Sequence, residues 1–218
     1  YKRQIHIHPA ARGKPGEHPG AMKMRTNSES KVAAGNRWHS DVSCDAKPPQ
    51  ASILQLHQIP PLGGDTLFAC MYKAYDNLPE DMKVKLENLN AVHSSSHVFG
   101  NQSDYVQASG DRLKNPDLAT QEAIHPVIIT HPESKRKALY VNRTFTLHFE
   151  GWTVEKSKPM LDLLYEHATK NRNITRFKWK PGSLAFWDNR CTWHYALNDY
   201  HGQKRLMHRI TVEGTELN

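Results

Sequence analysis

Apolar and polar residues alternate with a period of two near both ends of the chain and fall at helical spacing between them. Gln4 to His8 alternates and reads as a strand. Arg37 to Cys44 and Ser52 to Ile59 are strand-like, and Pro60-Pro61-Leu62-Gly63-Gly64-Asp65 makes a turn into a further strand, Thr66 to Cys70. In the last quarter Thr175, Phe177 and Trp179 alternate with Arg176, Lys178 and Lys180. Pro181-Gly182 then turns the chain, Leu184 to Trp187 returns it, and Leu206 to Val212 closes it. Helix signals lie between these blocks. Asn77 is placed to cap a helix through Pro79, Glu80 and Asp81, with Met82, Val84, Leu86 and Leu89 on its apolar face. Ser157 similarly precedes Pro159, Leu161, Leu163, Leu164 and Ala168, while Val127 to Thr130 and Ala138 to Val141 flank the polar stretch His131 to Lys137 as a hairpin. Strands at both ends with helices inserted between them predict a mostly β fold, a sandwich or barrel with helical insertions. Pro9 to Ser30, rich in Gly, Pro, Lys and Ser, reads as a long loop, and such loops are usually functional or mobile.

Length and composition change this picture little. A chain of 218 residues, 38% of them hydrophobic, buries one sizeable core, and residues 1–218 read as a single domain. Apolar runs such as Val127-Ile128-Ile129 are far too short to span a bilayer. The N-terminus lacks the charged-apolar-small pattern of a secretory signal. It opens at Tyr1 without a methionine, which suggests that upstream residues are missing. The formal charge of +7 is scattered, with Lys83 beside Glu87 and Lys156 beside Glu155, so it reads as a solvated surface tolerant of small anions rather than a nucleic-acid face. Cys44, Cys70 and Cys191 have neither CxxC spacing nor an even count, as expected of buried thiols in a reducing cytoplasm.

Candidate chemistry begins at Trp38-His39-Ser40-Asp41. On a strand His39 and Asp41 point the same way, giving two corners of a 2-His-1-carboxylate metal site that a distant residue must complete. In a chain with 14 histidines such a pair proves little by itself. Downstream, Trp187-Asp188-Asn189-Arg190 is followed by His194, Arg205 and Arg209. The two arginines share one face of a strand, opposite His208, Ile210 and Val212, and that apolar face should pack against something too. If the arginine face lines a barrel interior, its guanidinium groups need anions; otherwise it is a solvated strand face.

His39-x-Asp41, Gly63-Gly64-Asp65-Thr66, and Trp187-Asp188-Asn189-Arg190 with His194, Arg205 and Arg209 resemble the taurine dioxygenase family. That group of Fe(II)/2-oxoglutarate oxygenases includes phenoxyacetate dioxygenases and alkylsulfatases. The likeness runs from about Gln4 to Gly214, and the spacings agree in several places: 66 − 39 = 27, 205 − 194 = 11 and 209 − 194 = 15. The resemblance implies a double-stranded β-helix (jelly-roll) core with helices outside. It also implies Fe(II) bound by His39, Asp41 and His194, with 2-oxoglutarate as cosubstrate and O2 as oxidant. Thr66 and Arg205 match the pair gripping the distal carboxylate of 2-oxoglutarate, with Val42 lining the cosubstrate pocket. Arg209 and His8 match groups that meet the anion of the primary substrate, and Phe145 and Trp187 fall where the family lines the pocket, or else are ordinary core. The implied activity is hydroxylation of a small anionic compound with release of succinate and CO2. The implied assembly is a homo-oligomer, dimer or tetramer, with no nucleic-acid or membrane partner.

Departures from the pattern put taurine itself in doubt. Ala11 stands where taurine dioxygenase has a tyrosine, Gly35 where it has a pocket asparagine (Asn36 is one step off), and Cys44 replaces an aromatic. His6-x-His8 has no glutamate at the short spacing of a cupin site. A zinc metallohydrolase on the same triad, and a non-catalytic jelly-roll binding protein, remain the alternatives.

Overall fold

The computed structural model describes residues 21–27, 35–99 and 121–218, so Gln4 to His8, with His8 itself, and Ala11 lie outside the described residues. Four antiparallel strands form the larger sheet in the order β1 (Ala21–Thr26), β12 (Arg205–Val212), β2 (Ala51–Gln58), β10 (Leu184–Asp188). A second sheet has the order β11 (Thr192–Ala196), β3 (Thr66–Cys70), β9 (Ile174–Phe177). Their inner faces meet in one apolar cluster, Leu54, Leu56, Trp179, Ala185, Trp187 and Met207, with Met24, Phe68 and Phe177 packed against it. This is the expected β sandwich.

Period-two patterning accounts for it. In β2, Ser52, Leu54 and Leu56 are buried while Gln55 and His57 are exposed; in β12, Arg205, Met207, Arg209 and Thr211 are buried while His208 and Ile210 are exposed. The strand face expected to be packed is therefore partly open, with Ile210 37%, Leu184 58% and Phe186 67% exposed on the outer side of the larger sheet.

The helical layer stands on the other sheet. The helices are α1 (Met71–Asp76), α2 (Glu80–Leu86), α3 (Ser96–Phe99) and α4 (Val154–Ala168). Leu161, Leu164, Tyr165 and Ala168 of α4 occupy successive turns of one face and join the cluster containing Met71, Leu86, Leu139 and Trp193. The smaller sheet β5 (Glu122–Pro126), β4 (Asn90–Ser94), β8 (Thr146–Phe149) flanks this layer. The expected hairpin is present as β6 (Ile128–Thr130) against β7 (Lys137–Leu139).

Several local expectations are corrected. Helix α4 starts earlier, because Thr153 accepts a hydrogen bond from the Lys156 amide at 3.2 Å, and Ser157 sits inside it with its hydroxyl on the Thr153 carbonyl. Asn77 ends α1, its amide donating to the Lys73 carbonyl at 2.7 Å, and extended Pro79 opens α2 without a side-chain cap. Within the expected loop, Ala21–Thr26 is a strand: Met22 and Met24 alternate with Lys23 and Arg25 and the segment pairs along β12. The turn at Pro181-Gly182 does not return the chain to β9; it carries it across the sandwich, from β9 beside β3 to β10 beside β2.

Candidate metal centre

His39 and His194 are 194 − 39 = 155 positions apart, yet their backbones are paired. His39 donates to the His194 carbonyl at 3.1 Å and His194 to the His39 carbonyl at 2.8 Å. Directly paired residues project their side chains to one side, and the rings lie 4.1 Å apart. Arg37 to Cys44 is not the expected strand. It makes this one bridge and then turns over residues 41–44, with the Asp45 amide on the Val42 carbonyl at 3.1 Å. Val42 takes φ 42°, a left-handed conformation that costs a β-branched residue on the order of 1–3 kcal/mol and persists only where packing enforces it. The turn presents Asp41 to both histidines: Oδ1 is 3.6 Å from His39 Nε2 and 3.7 Å from His194 Nε2. His39 and Asp41 thus converge through a strained turn rather than through strand alternation.

The protonation states suit a cation. His39 donates Nδ1–H to the Arg37 carbonyl at 2.7 Å, which turns its Nε2 towards Asp41. Burial, reinforced by His39 and Arg209 and opposed by Asp41, holds His194 well below its ordinary pKa, so the ring is neutral. For Asp41 burial favours the acid, but Arg209, His194 and His39 together hold its carboxyl well below the usual range. Two imidazoles and one carboxylate, with donor atoms within 4.8 Å of one another, leave room for a cation roughly 2 Å from each. The donor set fits iron of the facial-triad type.

The other Asp41 oxygen is occupied. Oδ2 accepts from Ser52 at 2.5 Å and lies 2.7 Å from Arg209 Nη2, an ionic contact outside hydrogen-bond alignment. Arg209 therefore has a countercharge already, which its sequence position did not reveal. Arg205, on the same inner face of β12, donates from Nη2 to the Gly64 carbonyl at 3.0 Å. Its guanidinium lies 6.0 Å from the Trp179 ring and 5.6 Å from that of Tyr200, and burial lowers its pKa. The Nε groups of both arginines have no hydrogen-bond partner among the described residues. Two buried cations with unspent donors invite anions.

Thr66 and Arg205 come together around Trp179, whose indole N–H donates to Thr66 Oγ1 at 3.0 Å and leaves the hydroxyl proton free to point elsewhere. Val42 and Phe145 are buried with Cys44 in a small cluster next to Asp41. Trp187 is buried with its ring 4.8 Å from that of His194 and 5.4 Å from that of Phe68. Gly35, at φ 80°, sits where a Cβ would touch His39 Cε1 at 3.5 Å.

The family profile "Taurine catabolism dioxygenase TauD, TfdA family" matches residues 3–211. This chain belongs to that family. An alkylsulfatase of Acinetobacter baylyi is 37% identical over 210 residues, 93% of this chain and 66% of that protein. An alpha-ketoglutarate-dependent sulfate ester dioxygenase of Pseudomonas putida is 33% identical over 210 residues, covering 93% and 69%. Among solved structures, a putative alpha-ketoglutarate-dependent taurine dioxygenase from Burkholderia xenovorans superposes with a TM-score of 0.77 at 30% identity, covering 98% of this chain and 70% of that one. The chain thus spans about two thirds of the length of these relatives, and the sandwich is the jelly-roll core of the family.

A second cluster among the described residues, His131, Asp188 and Cys191, brings metal-capable atoms equally close but spends them otherwise. His131 Nε2–H donates to Asp188 at 3.0 Å, and its Nδ1 accepts the Glu133 and Ser134 amides at 3.3 and 3.2 Å. Arg190 grips both Asp188 oxygens, at 3.0 and 2.6 Å, and reaches Glu133 at 3.0 Å. A guanidinium already stands where a cation would be. Sequence reasoning missed three buried residues of the site: Ser52, Asn189 and Trp179. Ser52 carried as its signal a hydroxyl on an otherwise apolar inward face; Asn189 stood inside the Trp187–Arg190 run that carries the resemblance, and Trp179 in the alternation from Thr175, neither with a role attached.

Proposed function

We propose that this chain carries the Fe(II) and 2-oxoglutarate centre of an oxygenase acting on a small anionic organic compound. The substrate class would be sulfate esters, sulfonates or aryloxy acids. The observation that carries the reading is the convergence of three unspent donors, His39 Nε2, Asp41 Oδ1 and His194 Nε2, beside two buried arginines with unspent N–H groups. Bound there, Fe(II) and 2-oxoglutarate supply the oxidant that O2 generates, with succinate and CO2 released as a C–H bond is hydroxylated. His39, Asp41 and His194 hold the metal. Arg205 and the free hydroxyl proton of Thr66 bind the distal carboxylate of 2-oxoglutarate, and Val42, next to Asp41, lines the cosubstrate pocket. Arg209 orients the substrate anion, assisted by His8, and Phe145 and Trp187 supply apolar walls that exclude water.

The names of the two sulfate-ester relatives support a sulfate-type anion, and Ala11 in place of a tyrosine favours a body larger than taurine's. The three free cysteines suit a cytoplasmic protein, and no helix among the described residues is long and apolar enough to cross a membrane. The open outer face around Phe186 supports a homo-oligomer, dimer or tetramer; single-domain subunits and a surface for small anions rather than nucleic acid follow from our reading of chain length and scattered charge. The test is succinate release with Fe(II) and 2-oxoglutarate across alkyl sulfates, longer sulfonates, aryloxy acids and taurine. Release coupled to one of the first three classes is the expected result. Zinc-dependent hydrolysis without 2-oxoglutarate would replace the reading with a metallohydrolase, and neutral compounds outperforming every anion would remove Arg209 from the substrate site.

A further inference from the structure

The inward face of β2 reads Ser52, Leu54, Leu56, and Ser52 is fully buried. A hydroxyl on a leucine face costs stability unless it is hydrogen-bonded, and here it belongs to a chain of bonds whose direction is fixed at its far end. The Trp187 indole can only donate, so at 2.8 Å it identifies the Asn189 atom facing it as the amide oxygen. The amide nitrogen of Asn189 is thereby turned to Ser52, donating to Oγ at 3.0 Å. With its lone pair so engaged, Ser52 directs its own proton to Asp41 Oδ2 at 2.5 Å. Each member is at least nine-tenths buried, so water does not compete.

We infer that Ser52 is a positioning residue for the carboxylate ligand, set by the relay Trp187–Asn189–Ser52, so that Asp41 offers the metal one oxygen and not two. The inference rests on the metal-centre reading above. Arg209 also lies on Oδ2, but a guanidinium shared with a substrate anion is free to shift when that anion binds. Ser52 has no second claim on its proton and keeps Asp41 in place through substrate arrival. Groups that hold a ligand in this way generally contribute about 10–100-fold to metal affinity.

The experiment uses Co(II) as probe, following its visible absorption during titration of the whole chain, together with thermal unfolding of the metal-free protein. His194→Ala serves as the control: Co(II) binding that is absent in the parent chain, or that survives His194→Ala, overturns the metal-centre reading and this inference with it. Given a centre that His194→Ala abolishes, Ser52→Ala should weaken Co(II) binding by about 10–100-fold and change the absorption band pattern. Asn189→Ala should act in the same direction but less, and the double variant should bind no more weakly than Ser52→Ala alone, because both act through one bond. Ser52→Ala binding within twofold of the parent, or losses that add and follow only a lowered unfolding midpoint, would show that Ser52 is packing alone. Should Ser52→Ala fail to fold, Asn189→Ala decides: weaker binding with an altered spectrum supports the relay, and unchanged binding overturns it.

Discussion

Two clusters in this protein hold a histidine, an aspartate and a third metal-capable side chain within the same small span, and only one is built to take a cation. At His131–Asp188–Cys191, both imidazole nitrogens and both carboxylate oxygens face protein partners, and Arg190 supplies the positive charge. At His39–Asp41–His194, backbone pairing and the Arg37 carbonyl orient the rings, Ser52 and Arg209 occupy one carboxylate oxygen, and the Nε2 atoms of both histidines face the other. The two differ in what is left unspent. The same holds for the arginines: Arg190 is consumed by Asp188 and Glu133, whereas Arg205 keeps a buried N–H without a partner among the described residues.

The largest effect that can break this comparison is at Asp41. Asp41→Ala removes the one anionic ligand, and Co(II) or Fe(II) affinity should fall by more than about 100-fold, beyond the loss expected for a merely supporting group. The metal-free fold should persist, as circular dichroism will show. Binding at parental strength would return His39 and His194 to the status of ordinary core histidines. Next is Arg205→Ala, which on the proposed reading would deprive the distal carboxylate of 2-oxoglutarate of its countercharge at a cost of roughly 2–5 kcal/mol. Affinity for 2-oxoglutarate should drop about tenfold for every 1.4 kcal/mol, measured by anaerobic titration. If only the organic substrate's affinity moves, Arg205 and Arg209 exchange roles.

Arg190→Ala probes the spent cluster. It should destabilise the protein by about 1–2 kcal/mol in urea unfolding, allowing for the part-exposed Asp188 carboxylate, and leave metal affinity unchanged. A change in metal affinity without loss of stability would mean that the two clusters are coupled.

Acid should separate the clusters by pH range, with the smallest effect per unit. His194 is held well below its ordinary value of 6.5 by burial, as is His93 by burial and then His125. Below about pH 6.5 the unfolded chain therefore binds protons that the folded, metal-free chain does not. Stability should fall as pH drops, by up to about 1.4 kcal/mol per pH unit for each such histidine, and His194→Gln should flatten the slope. Asp188, held below its ordinary 3.8 by Arg190 and His131 against the opposing effect of burial, contributes stability present above that value. Its share is lost only as pH falls further, through the folded-state pKa. Urea midpoints of the metal-free protein from pH 8 to 3 test both ranges, and a flat profile between 7 and 5 would contradict a neutral, buried His194.

Which parts of this were legible in the chain follows from how local each cause is. β2, β3 and β12 and the shared arginine face of β12 could be read because a period of two needs nothing beyond the strand itself; that this face is the buried one was decided by packing. The buried face of α4 was legible for the same reason, but its start was not: Thr153 and Ser157 are both plausible caps until one amide has chosen its partner. The strand Ala21–Thr26 was masked by the Gly- and Pro-rich residues around it and became visible only through its pairing with β12.

The amino-acid sequence by itself determined the inventory of the site, the two histidines, the aspartate and the two arginines at their spacings, because ligand and countercharge chemistry is carried by side-chain type. Tertiary structure alone decided how those groups are spent. Asp41 reaches the histidines through a left-handed Val42 that local preference opposes, and it is enforced by burial against Cys44 and Phe145. His131 and Asp188, as good a pair of ligands on paper, are closed by an arginine two residues along the chain. A hydrogen bond depends on which partner arrives at about 3 Å, and that is settled by contacts between segments as distant as β2 and β10, not by any residue's neighbours in sequence.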